Sequence, residues 1–273
     1  MSANAATRLR ELLRARGVEW PGPIHHLEEV ESTNRWLRER GLAGAAAWTV
    51  VLADRQTAGR GRAGRRWWSP AGGLYVSVLL DARPADATHA GVLALMGGVA
   101  VAEALRESGV EAWLKWPNDV RVGGRKIAGI LAEVVRSPRV VLGIGVNVAG
   151  LDPGSPELAA DSATALCSEG GRESDPEAVC AAVLGRLALC YDALATAGPG
   201  PILDRWRALA EPWWGRRIEF QTGGRTATGV LLDIDSDGAL ILDRGDGRRE
   251  RLLSGDVMEV RLDGEAAQRH DAT

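Results

Sequence analysis

Residues 59–66 read Gly59-Arg60-Gly61-Arg62-Ala63-Gly64-Arg65-Arg66, four arginines and three glycines in one short run, with Trp67-Trp68 directly after. Glycine has no Cβ, so the backbone N–H groups of such a loop can approach an anion closely. The guanidinium groups add permanent positive charge and forked donors. Together they suit a phosphate, a carboxylate or both. Two plainer readings compete: a flexible Gly/Arg tract that binds RNA, and a charged loop that is merely solvated. The run is short, ends in two tryptophans and leads into an apolar strand, which favours an ordered site loop.

Four further motifs carry polar groups suited to the same chemistry. Glu31-Ser32-Thr33-Asn34 offers hydroxyls and an amide at a helix start; alone, such a triplet is usually only a cap. Lys115-Trp116-Pro117-Asn118-Asp119 sets a lysine, an amide and a carboxylate around a proline turn; alone, it could be a turn with a solvated lysine. The stretch Gly124-Arg125-Lys126-Ile127-Ala128-Gly129-Ile130-Leu131-Ala132-Glu133 puts Lys126 at the mouth of a strand. Gly143-Ile144-Gly145-Val146-Asn147-Val148 is a glycine-notched strand ending in an amide; alone, it could reflect close strand packing. Singly these are weak signals, and in this order they are specific.

The elements that must position them follow from hydrophobic periodicity. Strands are expected at 24–30, 48–53, 74–80, 113–116, 120–122, 126–135 and 140–148. Helices are expected at 7–16, from Ser32 as N-cap to Arg40 with Gly41 as the stop, and at 89–108, 162–169, 176–195 and 201–209. Gly123-Gly124 reads as a hairpin turn. The fold class is therefore α+β, a mixed, largely antiparallel sheet with helices on one face. Beyond Pro212, alternating segments at 217–221, 227–234, 239–243, 248–253 and 257–262 suggest a small β-barrel, with Asp237-Gly238 and Asp246-Gly247 as tight turns. The composition change after Glu211-Pro212 therefore separates a larger first part from this small barrel and its tail.

Composition narrows the function classes. With 273 residues, 45% hydrophobic and 25% charged, the chain reads as an ordinary globular protein able to bury a substantial core. A net charge of −3 argues against non-specific nucleic-acid binding, so the basic loop is a local feature. The cysteines, Cys167, Cys180 and Cys190, form no CxxC; neither a disulfide framework nor a metal site is indicated, and a reducing cytoplasm fits best. Cys180 and Cys190 read as small core residues. No secretory signal is evident, and no apolar run reaches the roughly 18 residues of a membrane span.

The ordered motif set resembles the biotin–protein ligases (biotin–acetyl-CoA-carboxylase ligases), from His25 to Leu262, most diagnostically in AGRGRAGRRW, KWPND and GRKIAGIL. The resemblance implies an N-terminal extension (1–24), a class II synthetase-like catalytic domain that binds biotin and ATP (25–212) and a small SH3-like β-barrel with a tail (213–273). Some members begin with a winged helix–turn–helix; only residues 1–24 precede the match here, so the ligase-only branch without a DNA-binding domain is expected. The implied reaction activates biotin as biotinyl-5′-AMP with ATP and Mg2+, then transfers it to a lysine of a biotin carboxyl carrier domain.

By family pattern, Lys126, Arg60 and Arg62 are catalytic. Ser32, Thr33, Asn34, Gln56, Gly59, Arg60, Gly61, Arg62 and Lys126 bind biotin. Arg60, Arg62, Arg65, Trp67, Lys115, Asn118, Asp119 and Asn147 serve ATP or the adenylate, with Trp67 stacking on the base. No metal ligands are named, and a monomer or weak homodimer is expected. The nearest rival is a lipoate–protein ligase or octanoyl transferase of related fold, which does not show GRGRAGR and KWPND together in this form.

Overall fold

The computed structural model describes residues 3–82, 90–151, 162–222, 225–245, 247–253 and 256–261. Seven strands form the main sheet: β1 (Ile24–Val30), β2 (Val50–Gln56), β3 (Leu74–Asp81), β4 (Trp113–Lys115), β5 (Asp119–Val122), β6 (Arg125–Arg136) and β7 (Arg139–Val146). Their spatial order is β1-β2-β3-β7-β6-β5-β4. β1 and β2 are parallel and every other neighbouring pair is antiparallel. The Gly123-Gly124 turn between β5 and β6 has both residues at positive φ, 54° and 82°.

Strand alternation splits the sheet into two faces. Val140, Leu142, Ile144 and Val146 of β7, with Leu74, Val76, Val78 and Leu80 of β3, enter the main core. Helices α1 (Ala3–Ala15), α3 (Ala90–Glu107), α4 (Pro176–Ala197) and α5 (Gly200–Leu209) contribute to that core. They are the expected helical layer. Residues 3–15, taken as part of an extension, bury Leu9 and Leu13 in it. Asp175 caps α4 by accepting the Glu177 N–H at 3.1 Å. Contrary to the expectation from apolar runs, α4 is long and apolar enough to cross a membrane by length and composition; here it is a core helix packed on α1 and α3.

α2 (Thr33–Leu42) lies on the opposite face. Its Leu37 packs with Val51, Leu79, Val135 and Val141. Gly41 sits inside α2 rather than ending it; a Cβ there would stand 3.2 Å from Leu79 Cδ1, so this glycine permits close helix–sheet packing. The expected helix at 162–169 is reduced to a single 3-10 turn, Cys167–Glu169. The backbone just before it is claimed by pairing instead: Lys126 N–H donates to Ser162 O (2.8 Å), Thr164 N–H to Lys126 O (2.9 Å) and Leu166 N–H to Asn147 O (3.0 Å).

The small C-terminal unit is an antiparallel sheet of β8 (Arg217–Thr222), β9 (Arg225–Ile234), β10 (Leu240–Asp243), β11 (Arg249–Leu252) and β12 (Asp256–Arg261), ordered β11-β10-β9-β8-β12. Ile218, Phe220, Leu231, Leu240 and Leu242 join the main core. Trp116 of the KWPND turn donates its indole N–H to Gly238 O at 3.0 Å, so one candidate motif also docks the small sheet. Residue 246 of the expected Asp246-Gly247 turn and the tail from 262 lie outside the described residues.

Candidate active site

The site occupies the α2 face, where α2 leaves the sheet uncovered. Alternation brings Val141, Gly143 and Gly145 of β7 to this face; Val141 lies under the apolar α2 cluster and Gly143 under Asn34 at the start of α2. Gly145 pairs with Gly129 of β6 across the ladder. A Cβ on Gly145 would lie 2.5 Å from Trp67 Nε1, and one on Gly129 would lie 3.1 Å from Trp67 Cζ3. The two glycines thus form a trough in which the Trp67 indole rests, with Lys126 Nζ 5.2 Å from the ring centre.

A cavity of about 270 Å³ opens here. Ser32, Thr33, Asn34, Gln56, Arg60, Gly61, Arg62, Arg65, Trp67, Asn118, Asp119, Lys126 and Asn147 all line it. Two residues expected at the site do not. Gly59 is buried under the loop, its carbonyl accepting the Trp67 N–H at 2.9 Å, and a Cβ there would collide with Trp67 O at 2.4 Å. Lys115 lies on β4, opposite Asp119 in the ladder.

The arginine loop is a small closed hairpin. Arg60 and Arg66 form a bridge, and Gly61 N–H donates to Arg65 O at 2.7 Å. A 3-10 turn, Arg62–Gly64, carries Ala63 at φ 53°. Uncharged groups are fixed at the start of α2. Ser32 caps that helix. Thr33 N–H and Thr33 Oγ1 both donate to Gln56 Oε1, at 2.8 and 3.1 Å, while Gln56 Nε2 donates to Ser69 Oγ at 2.8 Å.

Asn34 is fully engaged: Nδ2 donates to Leu131 O (3.2 Å) and Glu133 Oε2 (2.8 Å), and Oδ1 lies 2.7 Å from Ser77 Oγ. Its amide braces α2 against the sheet. Asn118 and Asn147 also use their Nδ2 groups on backbone, Ile130 O (2.8 Å) and Thr164 O (2.9 Å), leaving amide oxygens for a ligand.

Charge in the cavity is lopsided. Arg60, Arg62, Arg65, Arg66, Arg121 and Lys126 line it, against the carboxylate of Asp119 among the described residues. Lys126 Nζ stands 2.6 Å from Asp119 Oδ1. Tyr75 lies at the buried floor, donating to Pro70 O at 2.8 Å, and burial pushes its phenol well above the ordinary value, so it stays a neutral donor. Cys180 and Cys190 are buried in α4 away from these residues, with the Cys190 thiol pushed up to about 11 chiefly by burial. Among the described residues no three His, Cys, Asp or Glu side chains gather as a metal site.

The pattern of the Biotin/lipoate A/B protein ligase family matches residues 27–149, and that of the Biotin protein ligase C terminal domain matches residues 214–258. The biotin–[acetyl-CoA-carboxylase] ligase of Mycobacterium tuberculosis is 37% identical over 263 residues, spanning 93% of this chain and 94% of that protein. The chain belongs to the biotin protein ligase family. The biotin–[acetyl-CoA-carboxylase] ligase of Paracoccus denitrificans is 38% identical over 80% of this chain and 91% of its own length. The biotin protein ligase from Aquifex aeolicus in complex with biotin and ATP superposes with a TM-score of 0.74 at 31% identity, covering 85% of this chain and 96% of that one.

Sequence reasoning missed Tyr75 and Arg121, which line this family member's cavity, and three residues that hold its lining in place, Ser77, Ser69 and Glu133. Ser77 is the one aliphatic hydroxyl in the otherwise apolar run Val76–Leu80, and that isolation was a usable signal. Ser69, between Trp68 and Pro70, carries no pattern. Glu133 closes the GRKIAGILAE motif, and its acidity in an apolar strand marked it without naming a partner.

Proposed function

We infer that this protein is an ATP-dependent biotin–protein ligase. The observation that carries the reading is the single cavity lined both by the uncharged Ser32, Thr33 and Gln56 and by six cationic side chains. A neutral, hydrogen-bonding ring can be held by the first group. Two anions, a carboxylate and a triphosphate, need the second, because their mutual repulsion must be offset by fixed positive charge.

In the first step a biotin carboxylate oxygen attacks the α-phosphorus of ATP. The bond to the β-phosphate bridging oxygen breaks, and pyrophosphate leaves with that electron pair. Lys126, Arg60 and Arg62 are assigned to the charge on the attacking carboxylate and the α-phosphate, and Arg65 to the outer phosphates. Trp67 is assigned to the adenine face, and the free amide oxygens of Asn118 and Asn147 to its donors. In the second step a carrier lysine, as the free amine, attacks the acyl carbonyl; AMP leaves and the amine loses a proton to form the amide. The mixed anhydride is water-sensitive, and a loop closed over it excludes water.

The carrier is proposed to be a biotin carboxyl carrier domain, and the setting the cytoplasm. Mg2+ is proposed as the counter-ion of ATP. The Asp119 carboxylate is a hard donor suited to it, and Mg2+ commonly takes few protein ligands beside phosphate oxygens and water.

The direct test incubates the protein with biotin, ATP, Mg2+ and an apo carrier domain. A biotin-sized mass gain on the carrier lysine, with AMP and pyrophosphate released, is the expected outcome. Acceptance of lipoate in place of biotin would move the protein to the rival activity.

Arg62→Gly carries a second expectation. Lys126 and Arg60 still supply charge for making the adenylate, while a residue that holds the loop over it is gone. Free biotinyl-AMP should escape and label lysines of a bystander such as albumin. An unlabelled bystander beside wild-type carrier modification would remove Arg62 from that role.

A further inference from the structure

We propose that Glu133 is the positioning residue of Arg60, tying the arginine loop to the start of α2; this rests on reading the cavity as the biotin and ATP site. Glu133 Oε1 lies 3.2 Å from Arg60 Nη1, while its Oε2 accepts the Asn34 amide at 2.8 Å. One carboxylate therefore joins a buried helix-start residue, 4% exposed, to a loop arginine whose side chain is 51% exposed. The next residue back, Thr33, holds Gln56, so the uncharged group and the cationic loop share a single brace.

The carboxylate works from behind the loop. Glu133 lines a second cavity, of about 340 Å³, between the loop, the Trp116–Asn118 turn, the first turn of α3 and Gly238 and Leu253 of the small sheet. Arg60, Gly61 and Arg62 line both cavities, whereas Glu133 lines only this second one. A guanidinium has five N–H donors in a rigid fork, so Arg60 can keep Glu133 on one side and meet an anion on the other. The pair need not break when substrate binds. Its effect is to lower the entropic cost of fixing a loop that contains Gly59, Gly61 and Gly64.

Glu133→Gln separates the two contacts. The glutamine oxygen can still accept from Asn34, so the buried amide keeps a partner, while the charge facing Arg60 is lost. We expect kcat/KM for biotin in biotin-dependent pyrophosphate exchange to fall about two- to fivefold, the scale of a partly exposed ion pair, carried mainly by KM. Trypsin should cut between Arg60 and Arg66 several-fold faster in the ligand-free variant. In an Arg60→Gln background the same change should add nothing. An unchanged biotin KM together with an unchanged cleavage rate would overturn the proposal, as would losses that multiply in the double variant, since a purely structural Glu133 would act independently of Arg60. If the wild-type enzyme shows no biotin-dependent exchange, the reading of the site fails, and the cleavage rates still decide the tether.

Discussion

Lys126→Ala is expected to lower adenylate formation at least about a hundredfold, the cost of about 3 kcal/mol that follows loss of one charge-assisted contact to a developing anion. The fold should survive. The structural work of residue 126 is done by its backbone, whose N–H bonds Ser162 O at 2.8 Å and whose carbonyl accepts Thr164 N–H at 2.9 Å, and alanine keeps both. What goes is the ammonium, held at the cavity wall 2.6 Å from Asp119 and over the Trp67 ring. Asp119 is left without that cation, but Arg121 Nη2 remains 3.9 Å away. Biotin-dependent pyrophosphate exchange reads the chemistry and far-ultraviolet circular dichroism reads the fold. Exchange within a few-fold of wild type would take Lys126 out of the reaction.

Gly143→Ala should damage both stability and biotin recognition. The added Cβ would lie 2.0 Å from Asn34 Oδ1 and 2.7 Å from its Cγ. Asn34 has no slack, because Leu131 O, Glu133 and Ser77 hold all its polar atoms. Either those bonds break or α2 shifts, taking the Thr33–Gln56 contact with it. Overpacking costs about 1–3 kcal/mol, and each buried polar group left unpaired adds about 1–3 kcal/mol. The expected result is a Tm lowered by roughly 5–10 °C and a biotin KM that rises more than the KM for ATP. Gly200→Ala is the matched control, since nothing stands within 4 Å of a Cβ there. A Gly143→Ala enzyme with wild-type Tm and biotin KM would show that α2 is not braced through Asn34.

Much of the framework was legible in the residues. The expected strand 24–30 and the Gly123-Gly124 turn match the structure, because alternation and two consecutive positive-φ glycines are local properties. The ordered motifs identified the family before any geometry was known, and nearly all the candidate residues line one cavity. Lys115 was drawn in by its motif. Its neighbours in sequence are turn and strand residues, and β4 carries it opposite Asp119 in the ladder rather than to the cavity wall.

By itself the sequence determined the strands and most of the helices, the anion-seeking chemistry of the arginine loop and the family. Those rest on side-chain period, on glycine's missing Cβ and on residue types at fixed spacing. The tertiary structure alone decided that α2 crosses the site face, that Gly129 and Gly145 meet to form the Trp67 trough, and that residues 162–166 pair with Lys126 and Asn147 instead of coiling into a helix. It also decided that Glu133 faces both Asn34 and Arg60, residues 99 and 73 positions away in the chain. Each of these is a contact between segments far apart in sequence. Local propensity cannot encode it, because its energy exists only once the sheet has brought the two partners within bonding distance.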